Sequence, residues 1–459
     1  MKDLVNRFLV EPGTAWSWRG ELVGGTTTFL AMAYIVVVNP AILAFAGIPE
    51  GPSTVATTLA AAFGTLLMAF LARRPFAVAP YMGENAFLAF GLAALGITWQ
   101  QRLGAVFVAG ALFLLLTFAG VRRWLASGVS PSLKHAFAVA IGLFLAELGL
   151  YETGVFTSFA TGMPAAALAG ESGLLRAPDV PVRLGDWSQT GTILALCGIA
   201  LTLALVVRGV RGAILLGMLP MAVAGLALGL APLPERFLAV PFRGELSLAP
   251  IALQLDVAGI LEPRHWPVLG TLALMGFLDT LGTLVALGAA ASLLDERGDL
   301  PRIERPMAVD ALASMGSALV GTSTSGAYIE SATGLRDGAR TGLAAVVTAT
   351  LFGATLFLAP LARTLQAMPF VYAPALVAVG VLMLRSARQV EFGDLAEAVP
   401  AFATVVLTLF TYNIANGLAA GLLAAPLARL AAGRAREARL STWLLAAACL
   451  AYFLFGVRH

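Results

Sequence analysis

Charge is what this sequence has least of. Only 12% of its 459 residues are Asp, Glu, Lys or Arg, about half the share carried by soluble domains, so a water-facing surface of ordinary size cannot be built. Lysine is nearly missing. Lys2 and Lys134 are the only two, and the rest of the 29 basic residues are arginines spread thinly between apolar runs. Without a clustered basic face, nucleic acid is excluded as a partner, despite a net charge of +3. The two cysteines, Cys197 and Cys449, both fall inside apolar segments and imply no disulfide framework. Three histidines, His135, His265 and His459, are too scattered to hold a metal. No nucleophile, metal cluster or His/Asp pair is written at membrane depth, so the sequence does not read as an enzyme and no cofactor is expected. No stretch reads as a cleavable signal, because the first apolar run starts near Glu21 and leads into many more.

What is present in abundance is apolar chain: 59% of residues, with a mean hydropathy of +0.86. That composition predicts an all-α polytopic membrane protein. Breaks at Arg, Pro and Gly clusters give fourteen spans: 20–44, 53–71, 76–95, 102–120, 131–150, 190–208, 212–231, 267–291, 306–320, 321–335, 341–361, 371–386, 398–413 and 415–431. A last stretch, 441–456, is short for a crossing. With the N-terminus in the cytoplasm, 21 basic residues fall on inner connections and 7 on outer ones, Arg458 being unassigned. That asymmetry predicts cytoplasmic termini in a multi-pass protein of the cell membrane.

Two spans cannot be plain helices. Pro75-Phe76-Ala77-Val78-Ala79-Pro80 runs into Gly83-Glu84-Asn85, and Gly321-Thr322-Ser323-Thr324-Ser325-Gly326 precedes Tyr328-Ile329-Glu330. Proline removes backbone donors, and Gly/Ser/Thr runs favour extended chain. Such backbone is tolerated in a membrane only when it is buried in protein or lines a cavity. The two segments are third and tenth in the count, seven apart, and seven spans per half make the repeat inverted. Interrupted helices in matching positions of an inverted repeat point to a secondary transporter with its ligand near the midplane.

The chain resembles the adenine/guanine/hypoxanthine permeases, a branch of the nucleobase–cation symporters related to the uracil and xanthine permeases. The likeness is carried by Gly24-Gly25-Thr26-Thr27-Thr28-Phe29 through Asn39-Pro40, by Ser132-Leu133-Lys134-His135-Ala136 with Gly142-Leu143-Phe144, and by Gly321-Thr322-Ser323-Thr324 with Tyr328-Ile329-Glu330-Ser331-Ala332. It implies a core domain of 1–130 and 267–361 and a gate domain of 131–231 and 362–431, with an extramembrane loop at 232–266 and a C-terminal segment at 432–459. Spans 3 and 10 would each be part strand and part half-helix. The implied function is symport of a purine nucleobase with a proton or sodium ion by alternating access. The same fold also leaves open another nucleobase, an anion, and a homodimer.

The resemblance places Glu330 at a substrate-binding position, and an acid at membrane depth is functional by default. Asp279 matches the second acid of the eighth-span motif, although a buried acid bonded to a neighbouring helix would look the same. Three residues earlier, where the family carries another Asp, this chain has Gly276. Asp310 matches a polar family position and equally suits a helix start, where the dipole favours acids. Asn85 matches a recognition residue, Tyr328 stacks on a heterocycle or fills the interface, and Gly83 opens the half-helix. Coupling is expected from Glu330, Asp279 and Asp310. Glu84 stands where related sequences read Leu, so an acid gained there offsets, at least in part, the acid missing at 276, or else faces a wet vestibule or pairs with a nearby Arg. Gly417 and Gly421 are expected to let helices pack closely.

Overall fold

The computed structural model describes residues 2–92, 96–119, 128–158, 182–234, 236–295 and 300–456. Among the described residues the chain is helical with two short strand pairs. In order come α1 (Lys2–Leu9), α2 (Trp18–Met32), α3 (Ile35–Ala44), α4 (Glu50–Leu67), β1 (Val78–Pro80), α5 (Met82–Ala86), α6 (Trp99–Phe118) and α7 (Pro131–Glu152). There follow β2 (Phe156–Ser158), β3 (Val182–Leu184), α8 (Thr190–Val207), α9 (Ala213–Ala227), α10 (Trp266–Ala290) and α11 (Glu304–Val320). Last are β4 (Ser325–Ala327), α12 (Ser331–Arg336), α13 (Gly342–Thr355), α14 (Ala359–Gln366), α15 (Pro369–Met383), α16 (Leu395–Phe410), α17 (Ile414–Ala431) and α18 (Leu440–Ala451). Among the described residues nine helices are long and apolar enough to cross a membrane, and three apolar helices are shorter, Leu440–Leu454 among them. Of the residues that set the charge asymmetry, Arg122, Arg123, Arg176 and Arg297 lie outside the described residues, as does Arg458.

Helix starts follow local chemistry. Ser17, Ser130, Thr341, Asp394 and Asn413 each accept a hydrogen bond from a first-turn N–H, and Thr98 with Gln101 forms a full capping box. Other ends are capped from a distance. Glu21 of α2 is fully buried and accepts from the N–H groups of Arg340 (3.1 Å), Thr341 (3.3 Å) and Ala344 (3.0 Å), which seals the start of α13. Arg102, one of the seven basic residues that the charge count places on outer connections, is buried. Its guanidinium donates to the carbonyls of Leu88, Ala89 and Ile97 and closes the end of the third span.

Gly417 and Gly421 do bring two helices together, since a Cβ at either would strike the hydroxyls of Thr408 and Thr404 on α16. The amphipathic α1 buries Val5 and Leu9 against Ala69 and Ala345. Arg302 pairs with Glu11 there at 3.2 Å. Arg73 donates to the carbonyl of Val10 at 3.4 Å, so the N-terminal segment is gathered with both arginines.

The feature that organises the centre is β1 paired antiparallel with β4: Val78 faces Ala327, Ala79 faces Gly326 and Pro80 faces Ser325. Tyr81 N–H to Thr324 O (2.8 Å) and Tyr328 N–H to Ala77 O (2.9 Å) extend the ladder at both ends. Two strands leave two free edges, and at membrane depth every edge group needs a partner. Thr65 of α4 supplies one, its hydroxyl bonded to both Val78 N–H and Val78 O at 3.0 Å. Ser314 of α11 supplies the other, bonded to Ser325 N–H (3.0 Å) and Ser325 O (2.8 Å). The helix before each broken span thus does the same work for it, α4 for β1 and α11 for β4.

Candidate functional site

Both broken spans continue from strand into a short helix, and the acids cluster where they do. Glu330 follows β4 and is half-buried, and its Oε1 accepts a hydrogen bond from Tyr34 Oη at 2.9 Å. Tyr34 sits at the joint between α2 and α3 and is 1% exposed. Tyr328 is buried, its hydroxyl donates to Pro80 O, and its ring lies parallel to that of Tyr81 with centroids 6.3 Å apart. Glu330, Asp279 and Glu84 all lie within electrostatic range of the Tyr328 hydroxyl. Asp279 is half-buried on α10, one turn beyond Gly276.

Glu84 is buried within α5, and neither of its carboxylate oxygens has a hydrogen-bond partner. Beside it, Gly83 is covered by Ile141 of α7, which a Cβ on the glycine would meet at 2.9 Å.

The structure therefore brings Glu84, Asp279, Glu330, Tyr328 and Gly83 around one end of the strand pair. Asp310 and Asn85 are bonded into the scaffold beside it. Asp310 does not start its helix, because α11 begins at Glu304. Its Oδ2 accepts from Thr280 Oγ1 (3.0 Å), Tyr81 Oη (3.2 Å) and Ala327 N–H (3.1 Å), tying β4 to α10 and α11. Asn85 donates to Asn39 O at 3.3 Å, with its own Oδ1 unpartnered. Asn39 in turn donates to Thr57 (2.7 Å) and Thr322 (3.0 Å) and accepts from Ser323 (3.3 Å), a buried knot joining spans 1, 2, 3 and 10.

Tyr34 and Asn39 were inside the first-span motif but not read as site residues. The signal was there: each is a polar side chain within an otherwise apolar run, and such groups need a partner inside the membrane. Among the described residues no three acid, histidine or cysteine side chains are placed to hold a metal.

Half-helices, a two-stranded ladder joining two distant spans and acids gathered at its end define an integral membrane transporter, and comparison with known proteins gives the family. The model of the xanthine/uracil permease family, described as "Permease family", matches residues 19–420, and the chain belongs to it. A relative from Methanocaldococcus jannaschii is 40% identical over 93% of this chain and 92% of its own length. The guanine/hypoxanthine permease PbuG of Bacillus subtilis is 36% identical over 96% of this chain and 97% of its own. The adenine permease AdeP of Escherichia coli is 35% identical over 91% and 89%. Among solved structures, the transmembrane domain of the cyanobacterial bicarbonate transporter BicA superposes with a TM-score of 0.63 at 18% identity, covering 88% of this chain and 97% of that one. Murine Slc26a9 in its inward-facing state gives 0.62 at 13% identity, covering 94% and 72%. At those identities the likeness is one of fold.

Proposed function

We propose that the protein imports a purine nucleobase by proton- or sodium-coupled symport, alternating access around the β1–β4 pair. The observation that carries this is Glu330, a carboxylate at the end of a broken span held in place through one oxygen by Tyr34. Purines carry ring N–H and amino donors, which a carboxylate accepts as charge-assisted hydrogen bonds. The adenine and guanine/hypoxanthine permeases among its relatives support the same substrate class. A bicarbonate-type anion fits less well, because Glu84, Asp279 and Glu330 would repel it.

In this reading residues 1–130 and 267–361 form the core and 131–231 and 362–431 the gate. Fourteen spans cross the cell membrane, with both termini in the cytoplasm. Glu330 and Asp279 bind substrate and carry the coupling charge, Tyr328 and Glu84 line the ligand, and Gly83 lets Ile141 of the gate approach. Asn85 and Asp310 hold the two broken spans in register, Asp310 also standing next to the coupling acids.

The test is uptake of adenine, guanine, hypoxanthine, xanthine, uracil and cytosine into proteoliposomes under imposed proton or sodium gradients. A purine should accumulate only when a gradient is present. Uptake of no purine, or uptake indifferent to both gradients, contradicts the proposal.

A further inference from the structure

The acids around the strand pair differ in what they already hold. Glu330 has Oε1 engaged by Tyr34, and Asp310 has Oδ2 engaged by three donors. Glu84 is 1% exposed and holds nothing with either oxygen. The nearest donor is the Thr324 hydroxyl, which lies close enough to act on the Glu84 carboxylate but outside hydrogen-bond geometry.

Opposite Glu84 stands Gly276 of α10. A Cβ built there would meet only the Glu84 carboxylate, at 3.5 Å from Oε1 and 3.8 Å from Oε2. The side chain is thus aimed at the place on that helix where no side chain stands. A buried carboxylate with both oxygens free is costly, and it is retained where something outside the chain pairs with it. No metal cluster among the described residues offers that partner.

We propose that Glu84 is the specificity-determining residue of the site. Through the gap left by Gly276 it presents two side-by-side acceptors to a ligand edge with two adjacent N–H donors. Among purine bases that edge is the N1–H and exocyclic amino group of a 2-amino-6-oxopurine, guanine being the simplest. Hypoxanthine has one donor on this edge, adenine sets an acceptor nitrogen beside its amine, and xanthine puts a carbonyl between its N–H groups. This rests on the purine-transport reading and narrows it to one base.

The experiment is equilibrium binding of guanine, hypoxanthine and adenine to the purified full chain, for the parent, Glu84→Gln and Gly276→Ala. The parent should hold guanine about tenfold more tightly than hypoxanthine, the worth of one charge-assisted hydrogen bond. Glu84→Gln keeps the shape but turns one acceptor into a donor, so the guanine margin should vanish while hypoxanthine affinity stays within about threefold. Gly276→Ala adds a methyl group at ordinary contact distance and should weaken guanine most. It decides the matter if the Gln variant does not fold. A parent that binds no purine overturns the transport reading and this proposal together. A parent that binds purines without a guanine margin, or variants that keep that margin, overturn the Glu84 assignment alone.

Discussion

The two broken spans share a scaffold and differ in chemistry. Each contributes three residues to the ladder, and each has its outer edge closed by one hydroxyl, Thr65 for β1 and Ser314 for β4. Beyond the strands they part. In span ten the acid, Glu330, precedes its half-helix and is held by Tyr34. In span three the acid, Glu84, lies within the half-helix and is held by nothing. Backbone needs are met identically on both sides because the membrane allows no exception. What is left unmet after that is where ligand chemistry has room to differ.

The comparison breaks most completely if the shared scaffold goes. Tyr81 crosses the ladder over Gly326, where any Cβ would run into its hydroxyl. Gly326→Val should therefore cost at least about 1–3 kcal/mol of packing strain and part both spans at once. It should be read as loss of the monodisperse protein peak and a lowered melting temperature. Next in size is Glu330→Gln, which leaves the ladder intact and should abolish purine uptake in proteoliposomes at unchanged yield. Uptake within twofold of the parent would remove Glu330 from the site.

Tyr34→Phe sharpens the contrast instead. It frees the second oxygen of Glu330, so the acid of span ten comes to resemble that of span three. Losing a hydrogen bond to a charged group, about 1.5–3 kcal/mol, should weaken purine binding about tenfold or more.

The smallest effect lies far from either span and serves as a control. Arg434 donates to Asp394 (2.5 Å) and Glu437 (2.8 Å) on the surface, and these hydrogen bonds hold both carboxyls below their usual range. A lowered carboxylate pKa stabilises the fold above the unfolded value and loses that effect as pH falls through the folded one. Arg434→Ala should lower the melting temperature by about one or two degrees at neutral pH. The gap to the parent should close toward pH 3, with transport unchanged throughout.

The broken spans were legible because Pro75, Pro80 and the 321–326 run forbid an ordinary helix whatever surrounds them. Glu330 was legible because an acid in such a place is rare. What stayed hidden depends on partners far along the chain. Tyr34 meets Glu330 across 296 residues, and Glu21 reaches Ala344 across 323. Periodicity and composition are local quantities and carry no register between spans. The role of Arg102 was hidden for the same reason, since only its tertiary neighbours reveal that it caps carbonyls. Asp310 read as a helix start from its own segment alone, and its three bonds belong to other segments.

The central claim is that the acids beyond the ladder are the ligand's partners. The most direct measurement is a structure of the protein determined with guanine bound. The account predicts the base beside the β1–β4 pair, with N–H donors within about 3 Å of Glu330 Oε2 and of both Glu84 oxygens, lying over Gly276. A base seated elsewhere, with both carboxylates unchanged, would contradict it.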